Sequence, residues 1–256
     1  MRDAEALHPA NEQEIVDLVV QARAAGRRVR VCGASHSIPS TIAGPGDLIV
    51  VLDRLKRLDF DEASGEVTAG AGIRLGIDPL DPLRGDGTAL CPWLHARGRA
   101  LSNLGGVIHQ TVFGFLATGS GGGSTRFDAA ASVVGLRLVD GTGCVRVLRR
   151  ERDEDCLNAV LVSLGSCGIV TEVTFRTEPA YDVAGTETVL SDRGGPVDLF
   201  ADGASGLAAL FERTDYARVL WWPQRRVRRI VVWAAQRIAA CDPQPSRAYA
   251  PMPMVF

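Results

Sequence analysis

Lysine is almost missing from this chain: of its 28 basic residues only Lys56 is lysine, and the rest are arginine. We read that as a bias of genome composition. A net charge of -2 and an isoelectric point near 6.1 give no electrostatic reason to expect a nucleic-acid or anionic-membrane partner. No apolar run approaches the roughly 20 residues of a spanning helix. The start, MRDAEALHPANEQEI, has acids where a secretory signal needs an apolar core, so the cytosol is the default expectation. The six cysteines (Cys32, Cys91, Cys144, Cys156, Cys167, Cys241) form no CxxC pair and read as buried thiols, not as a disulfide frame or zinc site. GxxxxGK[ST], HExxH and GxSxG runs are absent, which disfavours a P-loop nucleotidase, a zinc hydrolase or a serine hydrolase.

What is present is enough apolar residue, 46% of 256, to bury one large core or two smaller ones. Asn11 with Glu14 three residues on forms a capping-box pattern. Ile15, Leu18, Val19 and Ala22 follow at helical spacing, and Gly26 is a natural stop. A short β-branched strand, RVRV, then breaks into Cys32-Gly-Ala-Ser-His-Ser37. Residues 47–52 read as a strand buried on both faces, and EVTAGAG as an alternating strand. Residues 75–98 carry three prolines and read as a loop-rich connection with at most one short helix. The Asp140-Gly-Thr-Gly143 turn between 132–139 and 144–148 predicts a hairpin, 153–163 a helix and 168–175 a strand. Arg225, Arg226, Arg228 and Arg229 read as the solvated edge of a strand entering Ile230–Trp233.

Residues 101–123, LSNLGGVIHQTVFGFLATGSGGG, hold seven glycines between Gly105 and Gly123, interleaved with large apolar residues. A linker would be polar throughout. Glycine beside bulky apolar residues implies a backbone approached closely by something else, often a ligand. By contrast Gly70-Ala-Gly-Ile-Arg-Leu-Gly76 only superficially matches a dinucleotide fingerprint. Its last glycine falls one position late, and no adequate helix follows before Pro79.

Five segments in order, GASHS at 33–37, DGTALCPWL at 86–94, the 101–123 segment, VGLRLVDGTG at 134–143 and SLGSCGIVTEVTFRTEP at 163–179, resemble the FAD-binding (PCMH-type) domain of the vanillyl-alcohol oxidase superfamily. Within it the chain is most similar to the sugar-1,4-lactone and alditol oxidase branch, N-terminal part only. The resemblance implies an α+β, two-subdomain FAD-binding fold over 7–180, with subdomains of about 7–65 and 66–180. A truncated substrate (cap) domain and irregular tail would occupy 181–256.

Gly33, Ala34, Ser35, His36 and Ser37 would then present backbone N–H groups to the FAD pyrophosphate. The family pattern there is GxGHS, so Ser35 stands where glycine is usual, implying either a tolerated backbone angle or a displaced loop. His36 falls on the histidine that many members bond covalently to the flavin, the bland alternative being a loop histidine satisfied by backbone. Gly105, Gly106, Thr111 and Gly114 would lie along the ring and ribityl side. Thr118, Gly119, Ser120, Gly121 and Gly122 match the second cofactor loop, with glycine at 121 where alditol oxidases carry histidine. Ile169 is either a flavin-edge contact or a core strand residue. His109 either faces the ring or is packed, while His8 and His95 read as solvated.

With no cysteine before the second loop, at most one covalent bond to the cofactor is expected. No catalytic acid or base and no metal site is legible. The expected reaction is oxidation of a sugar-lactone or polyol alcohol by hydride transfer to flavin N5, with O2 or another acceptor reoxidising the flavin. The alternative is a non-catalytic FAD-binding module whose incomplete cap, exposing Trp221, Trp222 and Trp233, meets a protein partner. Some members of the family are membrane-associated, by means this sequence does not display.

Overall fold

A computed structural model of the chain describes residues 6–37, 44, 46–77 and 89–240. It contains three main sheets. The first is parallel: β1 (Ala6–Leu7) and β2 (Val29–Cys32) flank β3 (Leu48–Val51). Helix α1 (Glu12–Ala24) links β1 to β2, and the capping box forms as the sequence predicts. The Asn11 side chain accepts from the Glu14 N–H at 3.0 Å, and the Glu14 carboxylate accepts from Ala10 N–H at 2.7 Å. Ile15, Val19 and Ala22 are buried along one stripe, Leu18 only partly.

The second sheet is antiparallel, in the order β4 (Leu58–Asp61), β5 (Glu66–Gly70), β9 (Ile169–Arg176), β7 (Val133–Val139), β8 (Val145–Arg149). The second sheet is entered at Leu58, where β4 pairs with β5 from Leu58↔Ala69 onward. Asp140 ties the predicted β7–β8 turn. Its carboxylate accepts from the Thr142 hydroxyl at 2.5 Å, the Arg146 Nε at 2.8 Å and the Thr142 N–H at 2.8 Å, which together hold the carboxyl far below its ordinary range. Helices α2 (Leu90–His95), α3 (Val112–Ala117) and α4 (Arg150–Leu161) pack on this sheet. The predicted 153–163 helix thus starts three residues earlier, with Asp153 non-helical inside it. A short ladder joins β6 (Arg99–Ala100) to β10 (Glu178–Pro179). One apolar core, from Ile15 through Val50, Val67, Phe115 and Phe175, runs under both sheets. The bidentate pair of Arg137 with Glu12, 2.7 Å at each contact, clasps α1 to β7.

Residues 181–239 make a third sheet of their own: β11 (Tyr181–Ser191), β13 (Arg229–Ala239) and β12 (Tyr216–Trp222), antiparallel in that order. One face packs on α5 (Leu207–Arg213) through Leu210, Ile230, Val232 and Ala217. The Arg225–Arg229 stretch supplies the exposed turn into β13, as expected. A clasp fastens this sheet to the rest. The Arg237 guanidinium stacks 3.4 Å over Phe127 and 3.9 Å over Tyr181, donates to Tyr216 Oη at 2.8 Å and pairs with Glu178 at 2.9 Å. Residues 241–256, with Cys241, lie outside the described part.

Candidate functional site

A cleft of about 430 Å³ is the site the fold builds most clearly. One wall is the turn that ends β2. Gly33, Ala34, Ser35, His36 and Ser37 all line it, beside Leu52 and Asp53 at the end of β3. The question posed by Ser35 resolves here: its φ is +60°, in the left-handed region that glycine occupies freely. So Ser35 adopts the glycine conformation, and its Oγ lies 3.1 Å from Cys32 Sγ.

The opposite wall comes from the segment after β5, from α3 and from the turn before β9. Thr111, Gly114 and Thr118 line it. Thr111 is the hub: a Cβ on Gly33 would stand 2.5 Å from its Oγ1, and a Cβ on Gly114 2.6 Å from it. Both glycines let this hydroxyl sit between the turn and the helix. Two cations, Lys56 and Arg74, add charge to the lining. Asp53, beside the Gly33–Ser37 turn, has its carboxylate held by His8 Nδ1 at 2.9 Å. Behind the cleft, burial pushes the Cys91 thiol up to about 12, so it stays protonated and unreactive.

Not every expected residue reaches the cleft. Gly105 packs against the Phe115 ring, and Gly106 lies near Arg218 of β12. Gly119 and Gly121 are exposed, and Ser120 Oγ meets Thr118 Oγ1 at 3.2 Å. At Gly122 a Cβ would collide with the Asn103 side chain and the Leu104 carbonyl. Ile169 is 5% exposed within β9, the core strand residue of its two readings, while its neighbours Gly168 and Val170 line the cleft. His109 is partly buried, and its ring meets that of His36 edge to face with centroids 4.2 Å apart.

Residues the sequence reading missed also gather there. Ala71, Gly72, Arg74 and Gly76 all line the cleft, although their segment fails as a dinucleotide fingerprint. A Cβ on Gly72 would collide with the Leu52 carbonyl, so the glycine serves the junction of the two sheets. Leu164 and Gly165 line it too, in a turn where their φ angles are +53° and +78°. Among the described residues no group of three His, Cys, Asp or Glu is placed to hold a metal, and no helix is long and apolar enough to cross a membrane.

Comparison with known proteins adds three findings. Residues 4–81 match the family model described as FAD binding domain. D-arabinono-1,4-lactone oxidase of Eremothecium gossypii is 32% identical over 231 residues, covering 88% of this chain and 39% of the relative. The Saccharomyces cerevisiae enzyme of that name is 29% identical, covering 94% and 43%; L-gulono-1,4-lactone dehydrogenase of Mycobacterium tuberculosis is 34% identical, covering 68% and 38%. The chain thus spans about two fifths of the length of these relatives. Among solved structures, cholesterol oxidase from Brevibacterium sterolicum matches the fold with a TM-score of 0.71 at 18% identity, covering 92% of this chain and 45% of that one.

Proposed function

Starting from a chain that carries an FAD-binding domain of the PCMH type and resembles the N-terminal part of D-arabinono-1,4-lactone oxidases, we propose that it holds FAD in the cleft for oxidation of a sugar-lactone or polyol alcohol. The observation that carries this reading is the Gly33–Ser37 wall, where small residues, a left-handed Ser35 and His36 all face one cavity. The donor set fits the cofactor. A pyrophosphate needs backbone N–H groups clear of bulky side chains together with counter-charge, and the wall offers the first while Lys56 and Arg74 offer the second.

Bound there, FAD would supply the two-electron acceptor chemistry. The chain's own residues do the rest of the binding. Gly33 to Ser37 cradle the phosphates, Thr111 and Gly114 fix the opposite wall, and His36 tethers the flavin ring through one imidazole nitrogen. Gly105 and Gly106 on the ring and ribityl side, and Gly119, Ser120, Gly121 and Gly122 in the second loop, lie outside the cleft lining. Substrate selection and proton removal belong to groups beyond this cleft, since the family's catalytic acid and base have no counterpart in the sequence.

The test is direct. Purify the chain with FAD, denature it, and look for flavin fluorescence that migrates with the protein band. Fluorescence in the native chain that disappears in His36→Ala supports the tether, and an unlinked native chain that still binds FAD refutes it. Anaerobic bleaching by a panel of sugar lactones and alditols tests the oxidation. A second reading, an FAD-binding module that acts through a protein partner, draws on the exposed Trp221 and Trp222, 46% and 39% accessible, although Trp233 is half-buried. Bleaching by any member of the panel removes it.

A further inference from the structure

The third sheet is bounded on one side by an unguarded strand. β11 is outermost in the order β11, β13, β12, and its 11 residues pair with β13 in unbroken register from Tyr181↔Ala239 to Ser191↔Arg229. Every residue from Val183 to Val189 is exposed, and among the described residues no strand pairs with its outer side. An antiparallel strand directs alternate N–H and C=O groups to each side, so the outer set is left for another strand to take. Edge strands are usually blunted by lysine, proline, a bulge or shortness, and YDVAGTETVLS has none of these. The opposite edge of the same sheet is treated differently, since the Ala217 N–H of β12 already donates to the Gly123 carbonyl at 2.8 Å.

We propose that two copies of this chain pair antiparallel along β11, about a two-fold axis at Thr186, joining their third sheets into one. The strand's own sequence selects both the occupant and the register. With Thr186 facing its copy, Val183 faces Val189, and these valines, 44% and 59% exposed, cover each other twice. Val189 shares a face with Val231 and Leu220, so each pair of valines continues an apolar row from one copy into the next. Glu187 then faces Gly185, which leaves room for its carboxylate to keep Arg218, 3.5 Å away. The charged ends are complementary as well: Asp182, near one end of the strand, comes beside the end that runs on into the exposed Arg193. Other registers lose these matches. Centring the pairing on residue 187 sets Glu187 against its own copy, centring it on Gly185 sets Val183 against Glu187, and a one-residue slip opposes side chains from different faces.

Sedimentation of the full chain over a concentration series reads the equilibrium, and a dimer that dissociates on dilution is expected. Val189→Lys puts an edge lysine where the monomer buries nothing, and the two-fold axis repeats it, so the dimer dissociation constant should rise about tenfold or more. Leu220→Lys changes the same face on β12, away from the seam, and should move that constant by less than about threefold. Thr186→Cys, mildly oxidised, should link the two copies at position 186, because directly opposed residues of an antiparallel pair have Cα atoms about 4.5–5.5 Å apart, within disulfide reach. Peptide mass spectrometry maps the link. A chain that sediments as a monomer at every concentration overturns the proposal, as does a dimer indifferent to Val189→Lys. A dimer weakened equally by Leu220→Lys assigns the contact to the apolar face and overturns the edge pairing. A link in Thr186→Cys that maps only to other cysteines overturns the register, and with it the proposed axis.

Discussion

Two glycine-bearing stretches, Gly33 to Ser37 and Gly119 to Gly123, carry the same message in the sequence and opposite ones in the fold. The first lines an open cleft, with Gly33 alone also making room for the Thr111 hydroxyl. The second spends its glycines on the chain itself: a Cβ on Gly122 would strike Asn103 and Leu104, and one on Gly123 the Ala217 carbonyl of β12. Ala217 N–H also donates to the Gly123 carbonyl at 2.8 Å. A run of glycine announces that something comes close. Whether the visitor is a ligand or the protein's own third sheet depends on contacts nearly a hundred residues distant.

The contrast can be broken by mutation, most forcefully at Gly123. Gly123→Ala must adopt a φ of +73° and meet backbone that cannot move away. It should cost about 3 kcal/mol of stability by denaturant titration, while Gly121→Ala, with open space around it, should stay within about 0.5 kcal/mol. Equal effects at both positions would erase the distinction within the second stretch. At the first stretch, Gly33→Ala presses on the Thr111 hydroxyl and should weaken FAD binding with a loss of about 1–2 kcal/mol in stability. Adding Thr111→Ala should return part of that loss, and strict additivity of the pair would show that the two do not touch.

The clasp that holds α1 to β7 of the second sheet offers a pH-dependent check. The Glu12 carboxyl is held below its ordinary value of 4.5, chiefly by the Arg137 hydrogen bond and also by Thr171 and the Arg137 charge, against desolvation. A depressed carboxyl stabilises above its unfolded value and loses that contribution as pH falls through the folded one. Glu12→Gln should therefore cost about 1 kcal/mol at neutral pH, and the gap to the native chain should close on acidification below 4.5. A constant gap across pH would assign the effect to shape alone. Smallest of all, Ser35→Gly relieves the left-handed backbone and should stabilise by about 0.5 kcal/mol, glycine's freedom in the unfolded chain offsetting part of the gain. Destabilisation instead would mean that the contact of Ser35 with Cys32 outweighs the strain.

Local chemistry made much of the fold legible. Asn11 and Glu14 announced α1, Asp140 and Gly143 the hairpin, and both form through groups within a few residues of each other. The ordered small-residue motifs likewise marked one wall of the cleft. Part of the other wall was hidden because Ala71, Arg74, Gly165 and Gly168 are brought together by the pairing of β5 with β9. Ile169 shows the period-two rule at work: a matched position can lie in core while its neighbours on either side face the cavity.

The scarcity of lysine acquires a use from the fold. The single ε-amino group in the chain stands in the wall of the cleft, where Lys56 contributes to the lining. Apart from the amino terminus, an amine-selective reagent thus has one address on this molecule. Acylation of that address becomes a direct readout of occupancy, and a fluorophore placed there would watch the cleft fill without any engineered residue.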